Sequence, residues 1–224
     1  MSDKLFNNTK KITDTREDVS NFLFHFTKEP NAQTTLDKIL SEGKLIAGEC
    51  GYICFTEAPI TMLPKMIEYF ATYNERAKFA PYGVAFLKSL LFYKGARPVI
   101  YSDYGEDALL DPSIRWRHQD FHPIIHKGSK SPQYRDYSWM REWRLPKKEF
   151  SFSEKQCLVI TKESWEDFLY QELQPMNDPY DDIPEWKRNY YHISFQDITN
   201  DGINISKQKM LDILSEQTIG EYIE

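Results

Sequence analysis

Apolar and polar positions change period repeatedly along the chain, and the changes mark out short alternating elements. Asn21-Phe-Leu-Phe-His-Phe-Thr27 is a brief aromatic run stopped by Pro30 and Asn31, the pattern of a buried strand. Leu36, Ile39 and Leu40 then fall at helical spacing, with Thr34 or Thr35 as a cap and Gly43 as the C-terminal stop. Gly51 to Thr56 predicts a second buried strand closed by Pro59, and Leu63 to Tyr73 a second helix. Tyr82 to Phe86 and Pro98 to Tyr101 read as β runs separated by a turn at Lys94-Gly95. Pro112, Pro123, Gly128 and Pro132 interrupt any long element between Asp111 and Tyr137. Arg141 to Leu145 and Gln156 to Ile160 predict two strands joined by a polar turn around Lys147. A helix over Thr161 to Tyr170, a strand over Tyr190 to Phe195 and an amphipathic helix over Ser206 to Leu214 follow. The order predicts an α+β fold. No glycine-rich loop follows a strand, which disfavours Rossmann and P-loop architectures. Residues 1–20 read as a polar, flexible lead-in, and 21–224 as one domain with a C-terminal strand-helix extension.

With 41% hydrophobic and 15% aromatic residues in 224, the chain holds enough packing material for a core despite a mean hydropathy of -0.61. The longest apolar stretch, Gly83 to Tyr93, is broken by Lys88, and the polar N-terminus lacks the pattern of an export signal, so no membrane association is expected. Cys50, Cys54 and Cys157 are odd in number and lack zinc spacing, which predicts reduced thiols and a cytoplasmic location. The net charge of -6 hides one basic block: Arg115 to Lys148 carries nine Lys/Arg against three Asp/Glu, interleaved with aromatic residues. From Gln171 to Glu185 five acids and three prolines predict a solvated loop.

Candidate chemistry starts at His25, which as a lone strand histidine is equally a hydrogen-bonded core residue. Its surroundings add information. His25-Phe-Thr27, Leu36-x-x-Ile-Leu40, Gly43 and Gly51-x-x-x-Phe55-Thr56 resemble the first half of the ADP-ribosyltransferase fold, as in poly-ADP-ribose polymerases and DarT-like DNA ADP-ribosyltransferases. The AbiG-like proteins of abortive phage infection are similar over more of the chain, about residues 21–160. Their motifs match His25 to Thr27, Cys54 to Pro59, Tyr82 to Lys88, Pro98 to Tyr101 and Glu142 to Arg144.

The resemblance implies a split β-sheet core with flanking helices, NAD as substrate, no metal, and transfer of ADP-ribose to a macromolecule in anti-phage defence or a toxin–antitoxin system. It also implies the site. Glu142 would assist cleavage of the glycosidic bond, since a carboxylate stabilises an oxocarbenium-like centre or accepts the acceptor's proton. His25 would bind a ribose hydroxyl in the same cleft, and the backbone of Phe26 would hold the nicotinamide amide. Thr27, Phe55, Thr56 and Arg144 would complete the cofactor site. Tyr69, Phe70 or Tyr73 would stack on nicotinamide, with core packing the competing role and the one favoured for Phe70. Cys54 stands where the polymerases have tyrosine, and Phe26 where they have glycine.

Strand alternation places Glu142 and Arg144 on one face, which fits a structural ion pair as well as a catalytic carboxylate. Lys130 and Arg135, in the basic block, are candidate contacts for single-stranded nucleic acid as acceptor, with a protein acceptor as the alternative. A non-enzymatic sensor or antitoxin of the same fold, binding a nucleotide and a protein partner, is the second reading. The third is a metal-dependent hydrolase on His118, His122 and His126, whose helical spacing Pro123 interrupts.

Overall fold

The computed structural model describes residues 15, 16, 18–73, 79–124, 135–164, 168 and 189–196, without side chains for 70–73. Its centre is a seven-stranded sheet, mostly antiparallel, flanked by a few helices. The strands in chain order are β1 (Phe22–Phe26), β2 (Lys44–Ile46), β3 (Ile53–Thr56), β4 (Gly83–Leu87), β5 (Arg97–Pro98), β6 (Ile100–Ser102), β7 (His118–Asp120), β8 (Glu142–Leu145), β9 (Glu149–Ser151), β10 (Leu158–Thr161) and β11 (Tyr191–Ser194). The helices are α1 (Ala32–Glu42), α2 (Leu63–Tyr73) and α3 (Lys88–Tyr93). In space the main sheet runs β11-β10-β4-β1-β3-β8-β5, while β2 pairs with β9 and β6 with β7 in two small ribbons. Only β10–β11 and β6–β7 are parallel.

Both faces of the sheet are apolar, which explains why its central strands read as continuous hydrophobic runs. Leu23, Ile53, Phe55, Val84, Phe86 and Leu145 point to one side, where Leu36 and Leu40 of α1 cover them. Phe22, Phe24, Phe26, Ala85, Leu158 and Ile160 point to the other, beneath Leu63 and Ile67 of α2. Helix α1 ends at Gly43, whose φ of 60° is a left-handed conformation that costs glycine little. Its N-cap is Asn31, without a side-chain cap; Thr35 instead donates its hydroxyl back to the Asn31 carbonyl at 2.6 Å.

One expectation needs correction and two need completing. The turn at Lys94-Gly95 is there, and α3 precedes it because Leu90 and Leu91 find core positions as a short helix. Strands β8 and β10 do not form a hairpin: the chain between them makes β9 against β2, and β10 lies beside β4, with β4, β1 and β3 between it and β8. The Asp111 to Tyr137 stretch contributes β7, whose backbone is extended at His118. The expected helix over Thr161 to Tyr170 and the final helix over Ser206 to Leu214 lie largely or wholly outside the described residues, as do residues 1–14 of the lead-in. Asp18 is described, and Arg141 holds it by an ion pair at 3.0 Å. No helix among the described residues is long and apolar enough to cross a membrane.

Candidate functional site

The sheet is tightly laddered everywhere except between β1 and β3. Strand β1 pairs with β4 along its whole length, and β3 pairs with β8 from Ile53 to Thr56. Between β1 and β3 the ladder holds one pair, Phe24 with Thr56. Lys88 donates its amide to Asn21 at 2.7 Å and Thr27 to Tyr82 at 2.9 Å, so odd-numbered residues of β1 turn their backbone groups toward β4. Phe24 and Phe26 therefore turn theirs toward β3. Phe26 lies two residues past that single pair, where the register gives no further rung with β3, and this end of the β1–β3 boundary is the seam. Gly83 makes the other edge possible: a Cβ there would lie 2.4 Å from the His25 carbonyl oxygen.

His25 sits at this seam, with Nδ1 2.8 Å from the Cys54 carbonyl oxygen and its ring edge-on to Phe55 at 5.9 Å. Burial pushes the imidazole below its ordinary pKa, which favours the neutral ring. Alternation sends His25 to the face of Leu23 and Phe55. Register sends Glu142, opposite Thr56, to the other face with Phe24. His25 and Glu142 thus do not share one cleft wall. They are linked through Cys54, whose carbonyl meets His25 and whose thiol feels the charge of Glu142. Cys54 is exposed as a residue, and partial burial of the thiol first, then the Glu142 charge, pushes it up to about 12.

Glu142 is 9% exposed and is held by Arg144, Nε to Oε1 at 2.8 Å. Arg144, itself 4% exposed, also donates to the carbonyls of Trp116 at 2.8 Å and His118 at 2.6 Å and to Gln119 Oε1 at 2.7 Å, and its guanidinium lies 4.5 Å from the Tyr52 ring centroid. One cation therefore fixes both the carboxylate and the segment opposite it. Tyr101 Oη accepts the Glu142 amide at 3.1 Å and donates to the Tyr137 carbonyl at 3.2 Å. Arg141, immediately before Glu142, has φ of 44°, a strained conformation for a residue with a side chain.

Two cavities open on the Glu142 side and meet at Tyr137. The polar one, about 450 Å³, is lined by Gln119, Arg135, Tyr137, Met140 and Glu142. The apolar one, about 570 Å³, is lined by Met62, Lys65, Met66, Tyr69, Tyr137 and Trp139. Tyr69 is 62% exposed there, at the surface rather than in the core. The Phe26 ring reaches toward the same region: it meets Phe79 at 5.8 Å, and Phe79 meets Trp139 at 6.2 Å.

The remaining candidates have structural duties. Thr27 donates its hydroxyl to the Tyr82 carbonyl at 2.9 Å. Thr56 donates to the Met140 carbonyl and accepts from the Ala58 amide at 3.1 Å. Phe55 is buried against Phe86. Lys130 and His126 lie outside the described residues, and Phe70 and Tyr73 have no described side chain. His118 and His122 stand on extended backbone, not one helical face. Three cations of the basic block are paired, Arg144 with Glu142, Arg141 with Asp18 and Arg135 with Asp120, but among the described residues only Arg144 is buried, and Arg115, Arg135, Lys147 and Lys148 stay exposed. Sequence reasoning missed Gln119, Met140 and Met62, ordinary residue types that gain meaning only from the cavities. Tyr137 and Trp139 were visible as aromatics interleaved with charge.

No protein-family model matches the chain, and neither curated proteins nor solved structures provide a match.

Proposed function

We propose that this chain is an ADP-ribosyltransferase-type domain that binds NAD on the Glu142 side of the β1–β3 seam and transfers ADP-ribose to a macromolecule, as an anti-phage or toxin effector in the cytoplasm. The observation that carries the reading is the clamped Glu142 carboxylate in a polar cavity that adjoins an aromatic one at Tyr137. A planar nicotinamide stacks on Tyr69 or Trp139, its amide meets the open backbone edge of Phe26, and its ribose reaches Glu142. As nicotinamide departs with the bonding electron pair, positive charge grows on the ribose, and a preorganised carboxylate stabilises it. Glu142 then takes the proton of the attacking acceptor. His25 serves the seam from the opposite face, tying β1 to β3 through Cys54.

Nicotinamide release from NAD tests the reading. Glu142→Gln keeps an acceptor for Arg144 but loses the charge, and turnover is expected to fall at least about a hundredfold. Wild-type protein that releases no nicotinamide with nucleic-acid and protein acceptors present would refute it. A second reading, nucleotide binding without turnover as a sensor or antitoxin, draws on the separation of His25 and Glu142 onto opposite faces. It predicts stabilisation by NAD without nicotinamide release. The pairing of Arg135, Arg141 and Arg144 with acidic side chains favours weak, salt-sensitive contact with single-stranded nucleic acid over tight binding.

A further inference from the structure

Glu142 shares its polar cavity with a cation. Arg135 lines the same space, 45% exposed by side chain, and is anchored by its backbone: His122 and Arg135 exchange amide-to-carbonyl bonds of 2.8 Å each way. Only Nη1 has a hydrogen-bonding duty among the described residues, donating to Asp120 Oδ2 at 2.9 Å. A guanidinium has five N–H donors in a planar fork, so most of this fork remains for a ligand. Gln119 stands beside it. Its Oε1 accepts from Arg144 Nη2 at 2.7 Å, which fixes the side-chain amide and leaves the NH₂ group as a donor at the cavity wall. The cavity thus offers cationic and neutral donors at one part of its lining and a carboxylate acceptor, Glu142, at another.

We propose that this cavity is a subsite for a phosphorylated ribose. Arg135 and the Gln119 amide take the phosphate, and Glu142 accepts a hydrogen bond from a sugar hydroxyl. Simple anions such as sulfate satisfy Arg135 but are repelled by the carboxylate. Uncharged sugars satisfy Glu142 but leave the fork unused. A ligand with both groups satisfies the lining, and a volume of about 450 Å³ admits one. The proposal rests on the NAD reading only for the identity of the complete substrate; the phosphate and hydroxyl chemistry stands without it.

The test is calorimetric titration of the full chain with ribose 5-phosphate and ADP-ribose, with ribose and inorganic phosphate as single-group controls. Wild type is expected to prefer ribose 5-phosphate to either control by at least tenfold. Arg135→Gln should remove that preference and weaken ADP-ribose at least tenfold because the phosphate loses its cation, and the variant should still fold because the exposed Asp120 pair contributes little to stability. Asp120→Asn, which removes the carboxylate charge that competes with a phosphate for Arg135, should tighten ribose 5-phosphate and keeps the test alive if Arg135→Gln fails to fold. Equal binding of ribose and ribose 5-phosphate by wild type, an Arg135→Gln protein with unchanged affinity, or an Asp120→Asn protein with unchanged or weaker affinity overturns the subsite. NAD turnover with an unaltered Arg135→Gln Michaelis constant would remove the subsite and keep the transferase. Ribose 5-phosphate binding without NAD turnover would do the reverse.

Discussion

Arg144→Met is the most informative single change to the architecture of the site. The guanidinium is buried and makes four described hydrogen-bonding contacts, to Glu142, Trp116, His118 and Gln119. Met fills a similar volume but leaves the Glu142 carboxylate buried without its guanidinium partner. Removing one partner of a buried pair costs about 3–5 kcal/mol, because the remaining charge has lost its compensation. For a domain of this size each kcal/mol lowers the melting temperature by about 2–4 °C, so the drop should be roughly 6–20 °C. Glu142→Gln should cost less, since Arg144 keeps its two carbonyls, Gln119 and the Tyr52 ring. The double variant Arg144→Met/Glu142→Leu should recover part of the loss by removing the stranded charge. Urea unfolding of the three proteins checks the ordering. A loss below about 1 kcal/mol for Arg144→Met would show the pair behaving like a solvated surface bridge and would refute the reasoning.

Three further outcomes are expected. Gly83→Ala should destabilise by about 1–3 kcal/mol or more, because the new Cβ meets the His25 carbonyl at 2.4 Å and only backbone movement relieves it; a melting temperature equal to wild type would contradict the register. His25 has a depressed folded-state pKa against about 6.5 when unfolded, so the unfolded chain binds the extra proton. Its contribution is full above about pH 6.5 and is lost as pH falls below it; urea midpoints from pH 7.5 to 5 should fall less steeply in His25→Phe than in wild type, and parallel profiles would count against a buried neutral imidazole. Cys54, pushed up to about 12, should react with iodoacetamide at pH 8 more than about a hundredfold slower than a free thiol, and faster after Glu142→Gln; peptide mass spectrometry reads both, and alkylation at the free-thiol rate would count against a thiol held protonated beside the Glu142 charge.

What was legible in the sequence follows from how locally each element is specified. Strands β1, β3, β8 and β10 are buried runs with breakers at their ends, and helix α1 carries Leu36 and Leu40 on one face with Gly43 after it; these could be read directly. The partner of each strand could not. Nothing in Leu158 to Thr161 says that it pairs with β4 rather than β8, since both would bury the same apolar side chains. Short ribbons such as β2–β9 have too few residues for a period to show. At the site, the alternation that put Glu142 beside Arg144 was correct, because period two is a property of any strand. The expectation of one cleft for His25 and Glu142 failed on parity: the face each takes depends on register through β3, which no local pattern carries.

Strand β5 ends the main sheet on one side, and its second residue is Pro98. Val99 gives its amide inward, to the Glu142 carbonyl at 2.9 Å, so the backbone at Pro98 faces outward. Proline has no amide hydrogen to offer there, and Arg117 Nε takes its carbonyl at 2.9 Å. A second chain approaching this border finds neither donor nor acceptor where the next rung would form. The border that lies beside Glu142 is thereby closed to strand-by-strand polymerisation, so growth into edge-paired aggregates is blocked at the side of the molecule where the candidate site must stay open to solvent.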